Sequence, residues 1–124
     1  DTPLGSVSVK NFQIGMPIWT TNKVSHRVLG VVVKTSKVPV PPRHQMVHLM
    51  LSDGRELLVS PGHSTIDGRT IENLSINDIY DGARITSTGR ITYSKEATYD
   101  ILPSGETGFY WANGILLDST LDQP

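Results

Sequence analysis

The stretch from Met46 to Ser60, MVHLMLSDGRELLVS, decides the fold class because it holds two apolar runs joined by an Asp-Gly pair. Residues 46–51 and 56–60 are short runs rich in Leu, Val and Met. An Asp-Gly pair between such runs is the strongest short-range signal for a β-hairpin, since both residues tolerate the backbone of a tight turn. The stretch therefore predicts two antiparallel strands.

Similar runs continue on both sides of this hairpin. The longest is residues 28–34, VLGVVVK, whose β-branched residues favour a buried strand over a helix. Further strands are predicted at 7–9, 83–86, 90–93, 97–102, 109–112 and 115–117. Because no window of eleven residues shows a period of 3.6, helix is expected only as single turns, and the fold class is all-β.

Length and composition exclude several classes of protein. The 124 residues fit a single domain over 1–124. Lys plus Arg number 11 against 12 for Asp plus Glu, so no basic excess is available to bind nucleic acid. Cysteine is absent, which removes disulfides and thiolate zinc sites. The apolar runs are too short to span a membrane.

An internal repeat divides the chain in two. Residues 9–18, VKNFQIGMPI, lie against residues 71–80, IENLSINDIY, with apolar residues matched at most of the first positions and Asn matched to Asn. The repeat predicts two related β subdomains about a pseudo-two-fold axis. Each would hold a strand, a short turn of the Asn-Phe or Asn-Leu type, and another strand.

Residues 59–65, VSPGHST, form the densest polar cluster, where the second hairpin strand ends. Pro61 and Gly62 break the strand, so Ser60 and His63 can face one site across a tight loop. An imidazole can protonate a departing amide nitrogen, and a hydroxyl can donate to a carbonyl oxygen as negative charge builds there. The alternative is a turn held by local side-chain hydrogen bonds.

Histidines and other polar residues offer further candidates. His44, His48 and His63 suggest a metal site, but His44 and His48 on one face of a strand would lie about 13 Å apart at strand rise, too far for one ion. We therefore expect neither a metal nor a cofactor. Asp100 interrupts a strand-like run and is either exposed or drawn into a site. The aromatic run 109–111, FYW, is predicted to be core and surface, with a binding cleft as the alternative.

Three stretches together resemble the Hint family, which comprises hedgehog and intein domains. They are 2–16 with its opening T-P-x-G, 51–63 with Ser60-Pro61-Gly62-His63 in place of T-x-x-H, and 99–117 with Tyr99-Asp100-Ile101 and Ala112-Asn113-Gly114-Ile115. The resemblance implies a horseshoe of short strands with pseudo-two-fold symmetry.

The resemblance also implies a single-turnover activation of the peptide bond at the N-terminal junction. A Cys or Ser at the first residue of the domain attacks the preceding carbonyl and replaces the amide with a thioester or ester. His63 would assist departure of the amide nitrogen, Ser60 would hold and polarise the scissile peptide, and Asp100 would tune the nucleophile or later steps. The partner is then the domain's own flanking polypeptide.

Departures from the family pattern limit this expectation. The nucleophile strand precedes the T-P-x-G turn in the family, so we expect it upstream of Asp1 and expect the chain as given to be inactive. Asp118 stands where inteins have the penultimate His, Ser119 where they have the cyclising Asn, and Gly108 where they often carry a further His. Asn cyclisation at the C-terminal end is therefore not expected.

Three hypotheses follow. The chain is an autoprocessing domain, a catalytically inactive Hint-like binding or structural module, or one part of a split system whose missing strand comes from a complementing N-terminal fragment.

Overall fold

The computed structural model describes residues 1–3, 5 and 7–121 and is built from β-strands joined by tight turns. The strands are β1 (Pro17–Thr21), β2 (Arg27–Pro39), β3 (Gln45–Leu51), β4 (Glu56–Val59), β5 (Ile79–Tyr80), β6 (Ala83–Thr92), β7 (Ala97–Pro103), β8 (Phe109–Ala112) and β9 (Ile115–Asp118). Over the described ranges, the helical elements are two 3-10 turns, Val9–Asn11 and Ile71–Asn73, and no helix has the length and apolar character needed to cross a bilayer. The all-β prediction is confirmed.

The hairpin of β3 and β4 forms as predicted, with Met50 opposite Glu56 and Val47 opposite Val59. Gly54 has a φ of 91°, in the left-handed region that glycine adopts without strain. The N–H of Gly54 donates to the carbonyl oxygen of Leu51 at 3.0 Å and closes the turn. The Asp-Gly signal therefore fixes the local register of this part of the sheet.

Long strands are exchanged between the two halves of the chain, which we define as the first half, 9–59, and the second half, 71–112. In the first sheet, β2 lies between β1 and β7. In the second sheet, β3 and β6 are central, between β4 and β5, while β8 and β9 form a separate pair. Because β2 pairs with β7 and β6 pairs with β3, each half completes a sheet of the other.

The predicted repeat appears first in the two 3-10 turns. The N–H of Asn11 donates to the Ser8 carbonyl at 2.9 Å, and the N–H of Asn73 donates to the Thr70 carbonyl at 3.0 Å. Each turn ends on a buried apolar residue, Phe12 or Leu74, in extended conformation. The two turns therefore match in backbone conformation as well as in sequence.

The match continues into the following turn of each half. Gly15 has a φ of 93° and its N–H donates to the Val32 carbonyl at 2.8 Å. The equivalent Asn77 has a φ of 76° and its N–H donates to the Ile85 carbonyl at 2.8 Å. Gly and Asn are the residues that adopt this left-handed conformation at least cost. The pseudo-two-fold arrangement is confirmed by these corresponding hydrogen bonds.

Several predicted elements differ from the structure. The strand predicted at 7–9 is wrong, because Val9 begins a 3-10 turn, and an alternation of three residues is too short to separate the two conformations. The first strand predicted in each copy of the repeat is also wrong, because both copies begin with a 3-10 turn, Val9–Asn11 and Ile71–Asn73. The runs 83–86 and 90–93 belong mostly to one strand, β6, because pairing with β3 carries the ladder through the polar residues between them.

The opening T-P-x-G motif forms a closed turn. The N–H of Thr2 donates to the Gly5 carbonyl, and the N–H of Gly5 donates to the Thr2 carbonyl, both at 3.0 Å. The hydroxyl of Thr2 adds a bond of 2.6 Å to the same Gly5 carbonyl. Leu4 of this motif lies outside the described residues.

Apolar side chains pack into two clusters that meet at Ala112. The smaller cluster belongs to the β1–β2–β7 side and contains Phe12, Ile18, Val32, Ile101 and Tyr110. The larger cluster lies on the β3–β6 side and includes Val47, Leu49, Leu57, Val59, Ile71, Ile85, Ile115 and Leu117. The chain therefore has two small apolar cores, and a cleft lies at the boundary between them.

Arg55 ties three turns together. Its guanidinium donates to the carboxylate and the carbonyl of Asp81 at 2.7 and 2.8 Å, and to the carbonyl of Gly114 at 2.8 Å. It also donates to Asp53 at 2.8 Å. The Asp81 carboxylate accepts in addition from the N–H of Leu116 at 3.1 Å. The planar, multiply donating guanidinium can hold these groups at once, which an ammonium cannot.

We predict that Arg55→Ala lowers the free energy of unfolding by about 2 kcal/mol, because it leaves the partly buried Asp81 carboxylate without its cation. The measurement is chemical denaturation of the variant beside the parent chain. Arg90→Ala is the matched control, since Arg90 makes a half-exposed ion pair of 3.7 Å with Glu72 and should cost less than about 0.5 kcal/mol. Equal losses in the two variants would contradict the role assigned to Arg55.

Candidate functional site

His63 stands at the end of a tight turn that follows β4. Its N–H donates to the Ser60 carbonyl at 3.1 Å, so residues 60–63 form a β-turn. Its own carbonyl accepts from the N–H of Ile71 at 2.9 Å, and the Pro61 carbonyl accepts from the N–H of Glu72 at 2.9 Å. The second 3-10 turn therefore holds this loop through two backbone hydrogen bonds. His63 is buried, with 8% of its surface exposed.

A cleft of about 670 Å³ opens where the two apolar clusters meet. Its walls come from both halves of the chain, and they include Ser60, His63, Tyr110, Trp111, Phe12 and Leu57. The volume falls within the range of about 300–1,000 Å³ that is typical of ligand sites. His63 therefore lies on the wall of a cleft of the size typical of ligand sites.

Asp1 lies against this cleft. Its nitrogen donates to the Trp111 carbonyl at 2.7 Å, and its carbonyl accepts from the N–H of Trp19 at 3.2 Å. These contacts attach the start of the described chain to β8 on one side and β1 on the other. Asp1 is also one of the residues that line the cleft.

Ser60 shares the cleft with His63, as the sequence predicted for a loop with both side chains on one site. Its hydroxyl lies 3.6 Å from the sulfur of Met46, to which it donates. A thioether is a weak acceptor, so this hydroxyl gives up little if it turns toward a carbonyl oxygen in the cleft.

Asp100 is drawn inward, with 6% of its surface exposed. One carboxylate oxygen accepts from the Tyr110 hydroxyl at 2.6 Å and from the N–H of Ile101 at 2.8 Å. The other accepts from the N–H of Thr120 at 2.7 Å and from the Thr120 hydroxyl. Asp100 does not line the cleft and lies behind Tyr110, so the structure brings it near His63 without placing it on the cleft wall.

Tyr110 is the site residue that sequence reasoning missed. Its hydroxyl lies 3.5 Å from Nε2 of His63 and 2.6 Å from Asp100, and the two rings pack edge to face with centroids 6.3 Å apart. The run 109–111 was predicted to be core and surface aromatics, which holds for the burial of Tyr110 but not for its polar contacts. A buried Tyr needs a partner for its hydroxyl, and this is the signal that could have found it.

Burial and charge act in opposite directions on His63. Burial lowers the pKa of the imidazole, while the negative charge of Asp100 and a hydrogen bond to the backbone of Asp118 raise it, and burial dominates. Burial also raises the pKa of Tyr110 well above its usual value of 10.0, with Asp100 adding to the effect. At neutral pH the site therefore holds a neutral phenol and an imidazole that burial biases toward its neutral form.

The end of β9 lies beside His63. Burial raises the pKa of the Asp118 carboxyl, and repulsion from Asp100 raises it further. Ser119 is buried, and its N–H donates to the carbonyl of Gly108 at 3.0 Å. Gly108, Asp118 and Ser119, three positions at which this sequence departs from the intein pattern, are therefore clustered near the candidate site.

The histidines do not converge. Nε2 of His48 lies 3.0 Å from a carboxylate oxygen of Glu56 on the neighbouring strand, and the ring of His44 packs edge to face on Tyr93. Among the residues that the structure describes, no three or more His, Cys, Asp or Glu side chains come together in a way that could hold a metal ion.

Comparison with protein-family models and with curated protein sequences finds no match for this chain. Solved structures do match it. A DnaB intein from Synechocystis sp. PCC 6803 superposes with a TM-score of 0.76 at 18% identity, over 93% of this chain and 87% of that one. A bacterial intein-like domain from Clostridium thermocellum gives 0.78 at 17% identity, over 94% and 91%.

A consensus engineered intein with an atypical split site covers all of this chain, 100%, and 95% of its own, with a TM-score of 0.66 at 20% identity. At such identities the likeness concerns the fold. It agrees with the exchanged strands, the repeated turns and the all-β content described above. The chain has the Hint fold, the fold of inteins and bacterial intein-like proteins.

Proposed function

We propose that this chain is an autoprocessing domain that activates the peptide bond at its N-terminal junction by an acyl shift. The observation that carries the proposal is the cleft that is lined by Ser60 and His63 together with Asp1. A segment that continues upstream from Asp1 would start at this cleft, which lies next to the imidazole. Its scissile peptide bond can then meet both side chains.

The chemistry follows from the state of His63. Because burial lowers its pKa, the imidazole is largely neutral near neutral pH and can accept the proton of a Cys or Ser nucleophile in the upstream segment. The sulfur or oxygen bonds to the carbonyl carbon, the carbon–nitrogen bond breaks, and His63 returns the proton to the departing amine. An amide becomes a thioester or an ester, with no outside reagent consumed.

Ser60 and Asp100 support this step in different ways. The Ser60 hydroxyl exchanges its weak sulfur partner for the carbonyl oxygen, on which negative charge develops. Asp100 acts through space, because its charge favours the protonated imidazole that forms during the reaction. This fits the role in tuning that the family resemblance implies for Asp100.

We further propose that processing ends in N-terminal cleavage and not in complete splicing. Release of a C-terminal flank as a succinimide needs a side-chain amide at the position of Ser119, and a hydroxyl cannot replace it. Asp118 likewise cannot supply the imidazole found there in inteins. The activated acyl group would then pass to water or to another nucleophile.

The partner in this proposal is the polypeptide that flanks the domain, which occupies the cleft as an extended segment. A separate N-terminal fragment could fill the same cleft, and the match to an engineered intein with a split site is consistent with that arrangement. Addition of a peptide that binds the folded chain would raise its melting temperature, with a stabilisation that grows as the logarithm of peptide concentration over Kd.

We predict that the chain, produced with its native upstream residues behind a reporter protein, releases the reporter and does so faster with hydroxylamine or a thiol. His63→Ala should slow release by at least about 100-fold, the usual contribution of a general acid–base group. Release is followed by gel electrophoresis and mass spectrometry of the new C-terminus. His26→Ala is the control, because His26 is an exposed residue outside the cleft.

A reporter fusion that stays intact under both reagents would contradict the proposal and would favour a non-catalytic binding or structural module. Equal rates for the two histidine variants would remove His63 from the reaction. Ser60→Ala should give an intermediate loss, since it removes one donor and leaves the imidazole in place.

We predict that Asp118→Asn raises the melting temperature by a few degrees at pH 7. The folded protein holds the Asp118 carboxyl at a pKa above its ordinary value of 3.8, so the ionised form costs stability, and this cost appears as pH rises through the raised pKa. Thermal melts of both chains, from below pH 3.8 to pH 7, provide the test. A gain that does not shrink in acid would contradict the assignment, because below pH 3.8 both side chains are neutral.

A further inference from the structure

Tyr110 lies between two ionisable side chains that come from different elements. Its hydroxyl is 2.6 Å from a carboxylate oxygen of Asp100 on β7 and 3.5 Å from Nε2 of His63, which follows β4. The tyrosine itself is 3% exposed, so water has little access to the hydroxyl. The three groups form a continuous polar chain from the interior to the cleft.

The Tyr110 hydroxyl has one proton to donate, and the contacts around it decide which group accepts that proton. Asp100 is an acceptor when ionised, and the short contact shows that it takes this proton. The phenol oxygen can then offer His63 only its lone pairs. The O–H dipole therefore has its positive end toward Asp100 and its negative end toward the imidazole.

The other groups around His63 act in the same sense. The backbone of Asp118 on β9 accepts a hydrogen bond from the ring, and the charge of Asp100 attracts a protonated imidazole. The Asp118 carboxyl lies close enough to Asp100 that the negative charge of Asp100 helps to raise its pKa. The described groups that face the ring thus favour its protonated form, and burial opposes them.

We propose that Tyr110 is a positioning residue that carries the polarity of Asp100 to His63 and stabilises the protonated imidazole. Its catalytic meaning rests on the function proposed above, in which that form delivers the proton to the departing nitrogen. The contact itself exists without any reaction. It can therefore be tested separately from cleavage.

The test is an NMR titration of the His63 ring in the chain as given and in Tyr110→Phe. The substitution removes one oxygen and keeps the ring that fills the core. We expect the pKa of His63 to fall by about half to one unit, the value of one neutral hydrogen bond.

Tyr80→Phe is the matched control. Tyr80 is 2% exposed, and its hydroxyl donates to the Leu116 carbonyl at 2.7 Å and accepts from the N–H of Ile66 at 3.1 Å. The control therefore removes a buried, hydrogen-bonded phenol oxygen from the larger cluster. It should lower the melting temperature at least as much as Tyr110→Phe and leave the His63 titration unchanged.

An unchanged His63 pKa in Tyr110→Phe, or an equal shift in both variants, would overturn the inference. In a chain that cleaves, Tyr110→Phe should also move the acid limb of the pH–rate profile to lower pH and reduce the plateau rate several-fold. If the titration shifts and the parent chain does not cleave, the contact of Tyr110 stands and the proposed function fails.

Discussion

The exchange of long strands is the constraint on which the rest of the molecule depends. β2 finds its partner in β7 and β6 finds its partner in β3, so each half of the chain supplies a strand to the sheet of the other. Each half pairs only part of its own long strand, since β1 reaches residues 27–31 of β2 and β5 reaches residues 83–84 of β6. The cleft lies where the two clusters meet, and its walls come from both halves for the same reason.

Local features of the fold could be predicted from the sequence, and the long-range pairing could not. Asp53-Gly54 specifies its hairpin through turn geometry alone, and the repeat of 9–18 at 71–80 predicts matching turns because each is closed by its own hydrogen bonds. The sequence pattern of β2 contains no signal that identifies β7 as the strand with which it pairs. The strand predicted at 7–9 failed because three alternating residues also fit a single 3-10 turn.

The candidate site also contains residues that could be predicted from the sequence and residues that could not. Ser60 and His63 are neighbours in one tight turn, so their shared position could be predicted from spacing. Asp100 could be singled out as a carboxylate in an apolar run, but its inward direction depends on Thr120 and Tyr110 supplying donors. The polar role of Tyr110 depends on three elements meeting, and only the folded chain shows it. Around His63, burial lowers the pKa of the imidazole and the charge of Asp100 raises it, a balance that the proposed function would use.

The strand exchange also sets a time at which the site can exist. Ser60 and His63 leave the ribosome well before Asp100, Tyr110 and Asp118, and β2 must wait for β7 before its sheet can close. Pairings of such long sequence separation are intrinsically slow to form. In the function proposed above, this order means that the junction would not be attacked until nearly the whole domain has been synthesised. The topology would then act as a built-in delay, without any separate inhibitor.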